Sequence, residues 1–171
     1  MNSTNDMLDG IMSVIGQFDF SQVKERLFSL TIEKSRLISL LELLRQSGFS
    51  HLSLITGIDR IAEEKFEVAY TLFSWQSGVT VMTSVFTDRI DPVLPTIMEV
   101  WPVARFYERD VHEFFGIVFD GNPDLRPLIL ENWDGIPPMR KDFDSLKYSK
   151  EHFPDREYRA DFLAEGSDGD E

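Results

Sequence analysis

Polar and apolar residues alternate through RLFSLTI (residues 26–32), setting Phe28, Leu30 and Ile32 on one face, the period-two pattern of a half-buried strand. The next stretch, EKSRLISLLELLRQSG, changes period. Leu37, Leu40, Leu41 and Leu44 recur at i, i+3, i+4 and i+7, predicting an amphipathic helix that Gly48 ends. HLSLITGID, FEVAYTLF and VTVMTSVF then return to strand patterning. FEVAYTLF puts Phe66, Val68, Tyr70 and Leu72 on one face; VTVMTSVF puts Val79, Val81 and Val85 on one face and Met82 and Phe86 on the other. Short polar connections at 63–65 and 76–78 suit hairpins, so these strands are expected as antiparallel neighbours.

Pro92 and Pro95 mark a boundary, after which Leu94, Ile97, Met98 and Trp101 recover helical spacing. A second helix is expected after Pro102, with Tyr107, Val111, Phe114 and Phe115 on one face and Gly116 at its end. Beyond Phe119 the chain reads DGNPDLRPLILENWDGIPPMRKDF. Its Asp-Gly, Asn-Pro, Arg-Pro and Pro-Pro pairs are turn and extended-chain signals. Yet Leu125, Leu128, Ile129, Leu130, Trp133, Ile136 and Met139 are too apolar for a solvated linker, so this irregular strap needs a surface to lie on.

The expected architecture is α+β: an antiparallel sheet with helices packed on one face over residues 25–119. An N-terminal segment (1–24) has helical spacing at Leu8, Ile11, Met12 and Ile15, opposed by Gly10 and Gly16. An extended irregular arm (120–163) follows, with Tyr148, Phe153, Tyr158 and Phe162 as anchors, then a disordered acidic tail (164–171).

Composition narrows the chemistry. A formal charge of −13 over 171 residues opposes binding to nucleic acid or to an anionic membrane surface. No apolar run approaches the ~20 residues needed to cross a bilayer, and no basic n-region introduces a secretory leader. With no cysteine and only three histidines, disulfides, thiolate nucleophiles and Cys-ligated zinc or iron–sulfur sites have no ligands here.

The stretch ERDVHEFFG (108–116) admits three readings. As an acid–base site, Glu108 and His112 would pair at i, i+4, but no nucleophile or glycine-rich phosphate loop accompanies them. As a metal site, it lacks the second histidine of a zincin helix. A calcium loop forced onto Asp120, Asn122, Asp124 and Glu131 meets Leu125 where glycine is required. As an interface, Val111, Phe114 and Phe115 would pack inward while Glu108, Arg109, Asp110 and Glu113 project outward, Arg109 and Glu113 able to pair along the helix.

ERDVHEFFGIVFDGNPDLRPLILENWDGIPPMRKDF resembles the signature of the respiratory complex I C-subunit family, the small cluster-free component of the peripheral arm. The likeness rests on Glu108, Arg109 and Asp110 through Gly116 and Ile117, then Gly121 with Pro123, Asp124, Leu125 and Arg126, then Arg140, Lys141, Asp142 and Phe143. His112 and Glu113 stand where the commoner respiratory version has Tyr and Asp, and VHEFFG, GNPDLRPLIL and PPMRKDF are closer to the membrane-bound hydrogenase and deazaflavin-dependent branch. The resemblance implies an α+β domain whose extended C-terminal chain clasps a large hydrogenase-like catalytic subunit and touches a small subunit that bears a cluster. It implies no cofactor in this chain, iron–sulfur clusters in the partners, and a peripheral place on the cytoplasmic side of the cell membrane. The electron donor would be NADH, reduced deazaflavin or ferredoxin, and the acceptor a quinone, a phenazine or protons. Arg109, Arg126, Arg140 and Lys141 are expected to pair with partner carboxylates or carbonyls. Glu108, His112, Glu113, Pro123, Asp124, Leu125, Trp133, Asp142 and Phe143 complete the expected interface.

Overall fold

The computed structural model describes residues 10–153, apart from 12 and 17. Strands β1 (Asp19–Lys24), β2 (Leu27–Ile32), β3 (His51–Arg60), β4 (Lys65–Ser74) and β5 (Val79–Asp88) form one sheet in the order β1-β2-β5-β4-β3. Helix α1 (Leu37–Gln46) links β2 to β3, burying Leu37, Leu40, Leu41 and Leu44. Its end is closed by glycine: Gly48 takes φ +99°, the Phe49 amide reaches back to the Leu44 carbonyl at 3.1 Å, and the Gly48 amide reaches Arg45 at 3.1 Å.

Within this sheet every pairing is antiparallel except β2 with β5, which is parallel. The cause lies in α1. A helix returns the chain to the end from which β2 started, so β3 runs in the direction of β2. Two hairpins then leave β5 running the same way. Phe28, Leu30 and Ile32 join Phe66, Val68, Tyr70 and Leu72 in a single apolar cluster with the α1 leucines.

Three elements differ from their expected form. The N-terminal segment is helical at Gly10, Ile11 and Ser13–Ile15 and then becomes β1, whose six residues are all exposed; an edge strand without a buried face carries no period to read. Leu8 and Met12 lie outside the described residues. The helix expected around Leu94–Trp101 does not form. β6 (Val93–Pro95) pairs in parallel with β7 (Val118–Asp120), and turns follow. Leu94, Ile97 and Trp101 are buried all the same, so helical spacing here records burial along a bent chain. Finally, α3 (Ser145–His152) interrupts the arm; the Asp144 side chain caps it by accepting from the Lys147 amide at 2.9 Å. Of the arm's expected anchors, Tyr158 and Phe162 lie outside the described residues.

Helix α2 (Ala104–Phe115) packs on β3 and ends at Gly116, which takes φ +79° and donates to the His112 carbonyl at 2.7 Å. Gly57 on β3 makes this close approach possible: a Cβ there would stand 2.6 Å from the Phe115 ring.

Candidate interface: helix α2 and the arm laid across it

The charged face of α2 does not project into solvent as expected. Glu108 is fully buried. Its carboxylate accepts from Thr96 Oγ1 at 2.7 Å, the Ile97 amide at 2.8 Å and Asn122 Nδ2 at 2.8 Å, tying the β6 turn and the start of the arm to the helix. Burial pushes the Glu108 carboxyl up, and these three donors only partly offset it. The acid–base pair with His112 is not formed. His112 Nδ1 lies 2.8 Å from the Ile117 carbonyl oxygen, and both Glu108 oxygens are already engaged.

Glu113 is also buried and does not pair with Arg109. Its carboxylate receives the backbone amides of Leu128 at 2.8 Å and of Ile129 at 3.0 and 3.1 Å, together with that of Leu130. Three successive amides converge on one charged acceptor, so a segment without regular structure has its donors satisfied. Arg109 holds the preceding carbonyls, donating to Arg126 at 3.0 Å and Pro127 at 3.1 Å, and stands 3.6 Å from Asp124. Asp124 is in turn bound by Arg126 at 2.8 Å; that bond, with the charge of Arg109, holds its carboxyl far below the usual range.

A second anchorage lies farther along the arm. Phe114 receives the Met139 amide on its carbonyl at 3.0 Å, and Asp59 on β3 receives the Lys141 amide at 2.8 Å. Asp59 is gripped by Arg89 at 3.0 and 3.1 Å, while Arg89 also reaches Asp142 at 2.7 Å. Burial pushes the Asp59 and Asp142 carboxyls up. Their arginine hydrogen bonds, and the Lys141 amide at Asp59, outweigh it and leave both below their ordinary value. Arg89 and Arg140 lie 5.7 and 5.5 Å from the centroid of the buried Phe66 ring.

Three of the cations expected to reach partners also have acceptors within the chain, Arg109 in arm carbonyls, Arg126 in Asp124 and Arg140 in Asp142 at 3.3 Å, while Lys141 is held by its backbone amide. The physical reason is local geometry. Each acid lies two residues from its arginine, or where the arm crosses α2 and β3. Leu125 packs against the core, Pro123 is exposed, and Trp133 and Phe143 pack on Tyr148 at centroid distances of 4.5 and 5.6 Å. Asp59, Arg89, Thr96 and Asn122 are additions that the sequence does not announce. Asp59 and Lys141 are 82 positions apart, and no spacing rule joins them.

Among its exposed residues between 128 and 139 the arm presents four large apolar side chains. With its backbone tied down, Leu128 is 45% exposed, Ile129 61%, Ile136 47% and Met139 58%. Among the described residues, no group of three or more His, Asp or Glu is placed to hold a metal ion, and no helix is long and apolar enough to cross a membrane.

Residues 30–149 match the family described as respiratory-chain NADH dehydrogenase, 30 Kd subunit. The NADH-quinone oxidoreductase C-subunit of Novosphingobium aromaticivorans is 35% identical over 158 residues, 88% of this chain and 51% of that protein. The chain spans about half the length of the first curated relatives it matches. A chain from the membrane-bound sulfane sulfur reductase, an archaeal respiratory membrane complex, superposes with a TM-score of 0.83 at 28% identity, covering 93% of this chain and 97% of that one. A trypsin-resistant fragment of Nqo5 gives 0.62 at 27% identity over 71% of this chain and 98% of the fragment. Since the family match runs from β2 into α3 and takes in α2 and the arm, the chain belongs to the family of the 30 Kd subunit of respiratory-chain NADH dehydrogenase.

Proposed function

We propose that this chain is a non-catalytic structural subunit of a complex I-type, ion-translocating oxidoreductase, bound peripherally on the cytoplasmic side of the membrane. Its arm clasps the large hydrogenase-like catalytic subunit and a cluster-bearing small subunit. The observation that carries the reading is the contrast within the arm. Backbone amides of residues 128–130, of Met139 and of Lys141 are committed to Glu113, Phe114 and Asp59, while Leu128, Ile129, Ile136 and Met139 are exposed. Such a strip, held in shape by charge-assisted bonds, resembles the apolar centre of an obligate interface.

The chain then contributes alignment rather than chemistry, and electrons pass through clusters in neighbouring subunits toward a quinone, a phenazine or protons. The likeness to nearly the full length of a chain from the sulfane sulfur reductase complex supports a place in the hydrogenase-related branch. The test is the double substitution Ile129→Asp with Met139→Asp. Both side chains are mostly exposed, so the isolated chain should keep its melting temperature within about a degree or two. Co-purification with the cluster-bearing subunits should be lost. Retention of those subunits at the parental ratio would refute the assignment.

A further inference from the structure

β3 ends the sheet, and among the described residues no further strand pairs with its outer edge. Among the described residues, no backbone hydrogen bond joins residues 54–58 to any element but β4. Alongside that edge runs a cleft of about 220 Å³ between the strand and α2, lined by Leu54, Gly57, Val111, Phe114, Phe115 and Met139. Leu54 is 44% exposed. A register shift between Leu52 and Leu54 bounds the free stretch on one side.

Asp110 stands on the helical wall of this cleft. Unlike those of Glu108 and Glu113, its carboxylate has no hydrogen bond or ion pair among the described residues. Burial pushes its carboxyl up, and the neighbouring Glu113 pushes it further the same way. An acid beside an apolar cleft and an unused strand edge is complementary to a cation carried on an extended chain.

We propose that the β3 edge receives an extended segment of a partner polypeptide as an added strand, with an apolar side chain in the cleft and an adjacent Lys or Arg paired to Asp110. At ~3.3 Å per residue the free edge accepts about five residues. Main-chain bonds to the strand supply affinity, and the cleft and Asp110 select the sequence. This surface shares Met139 with the outward strip of the arm but otherwise uses different residues, and it stands whether or not the arm docks as proposed above.

The experiment replaces Leu54 with the photo-cross-linker p-benzoyl-phenylalanine in the full chain, expressed in its native host, and maps adducts by mass spectrometry. The expected adduct lies on an extended segment of another polypeptide with Lys or Arg within two residues. It should fall about tenfold when Asp110→Lys is added, the loss of roughly one interfacial charge pair. Hydrogen exchange on the native assembly should slow at residues 54–58 relative to the isolated chain, and Asp110→Lys should abolish that slowing. Adducts confined to lipid, to a second copy of this chain or to its own residues would overturn the proposal, as would no adduct at all, indifference to Asp110→Lys, or unchanged exchange at the edge. An Ile129→Asp, Ile136→Asp variant separates the two readings, because neither residue lines the cleft and an adduct that survives in it belongs to the β3 edge alone.

Discussion

Glu113 is the residue on which the arm's path turns, since its carboxylate satisfies three consecutive amides that no regular structure serves. Glu113→Ala should therefore loosen the arm rather than unfold the sheet. Global stability should fall by about 1–3 kcal/mol, and limited proteolysis should cut within residues 124–139 that resist cleavage in the parent. Equal cleavage of both proteins would refute this role. Two other acids should give pH dependences of opposite sign. The Asp59 carboxyl sits below its ordinary value, so its contribution is complete above the unfolded pKa and is lost as pH falls through the native one. The Glu108 carboxyl sits above its ordinary value, so its native charge costs stability as pH rises past the unfolded pKa. In urea unfolding from about pH 3 to pH 8, the advantage of the parent over Asp59→Asn should shrink toward acid. Its advantage over Glu108→Gln should shrink toward neutrality. Parallel curves would refute both assignments.

At the level of elements, the contact of α2 with β3 depends on a missing side chain. Gly57→Ala places a methyl group within 2.6–2.9 Å of three atoms of the Phe115 ring, and that ring also packs edge-on against Phe66 at 6.2 Å. Overpacking of this kind costs about 1–3 kcal/mol, and Phe115→Leu should recover part of it in the double variant, read as urea midpoints. Additive losses would mean that the two positions do not press on each other. Elements with a buried face are legible in the sequence: β2 and α1 follow their period, β3 to β5 form where strand patterning places them although β3 is bulged between Leu52 and Leu54, and α2 stops at the glycine that suggests its end. β1 is hidden because no face of it is buried, and β6 because the turn after it buries the same spacing a helix would. The acids and bases of α2 and the arm stand out in the sequence as a set, but their partners do not. Whether Glu108 meets Thr96 or a neighbouring subunit depends on the route of the arm over α2, which is set by contacts such as Asp59 to the Lys141 amide.

Over the whole molecule, assembly and topology are separate matters. The arm lies on its own domain through polar backbone contacts and the packing of Leu125, and leaves Leu128, Ile129, Ile136 and Met139 exposed, so on the proposed reading a surface for partners is in place before any partner arrives. Less conformational entropy is then lost on docking than for a segment that folds as it binds. The parallel register of β2 against β5 has a consequence during synthesis. Beyond their hairpin with β1, Leu27 to Ile32 pair with Thr80 to Val85, so a nascent chain on the ribosome can zip the β1–β2 hairpin and the later meander locally but cannot join the two until most of the domain has emerged.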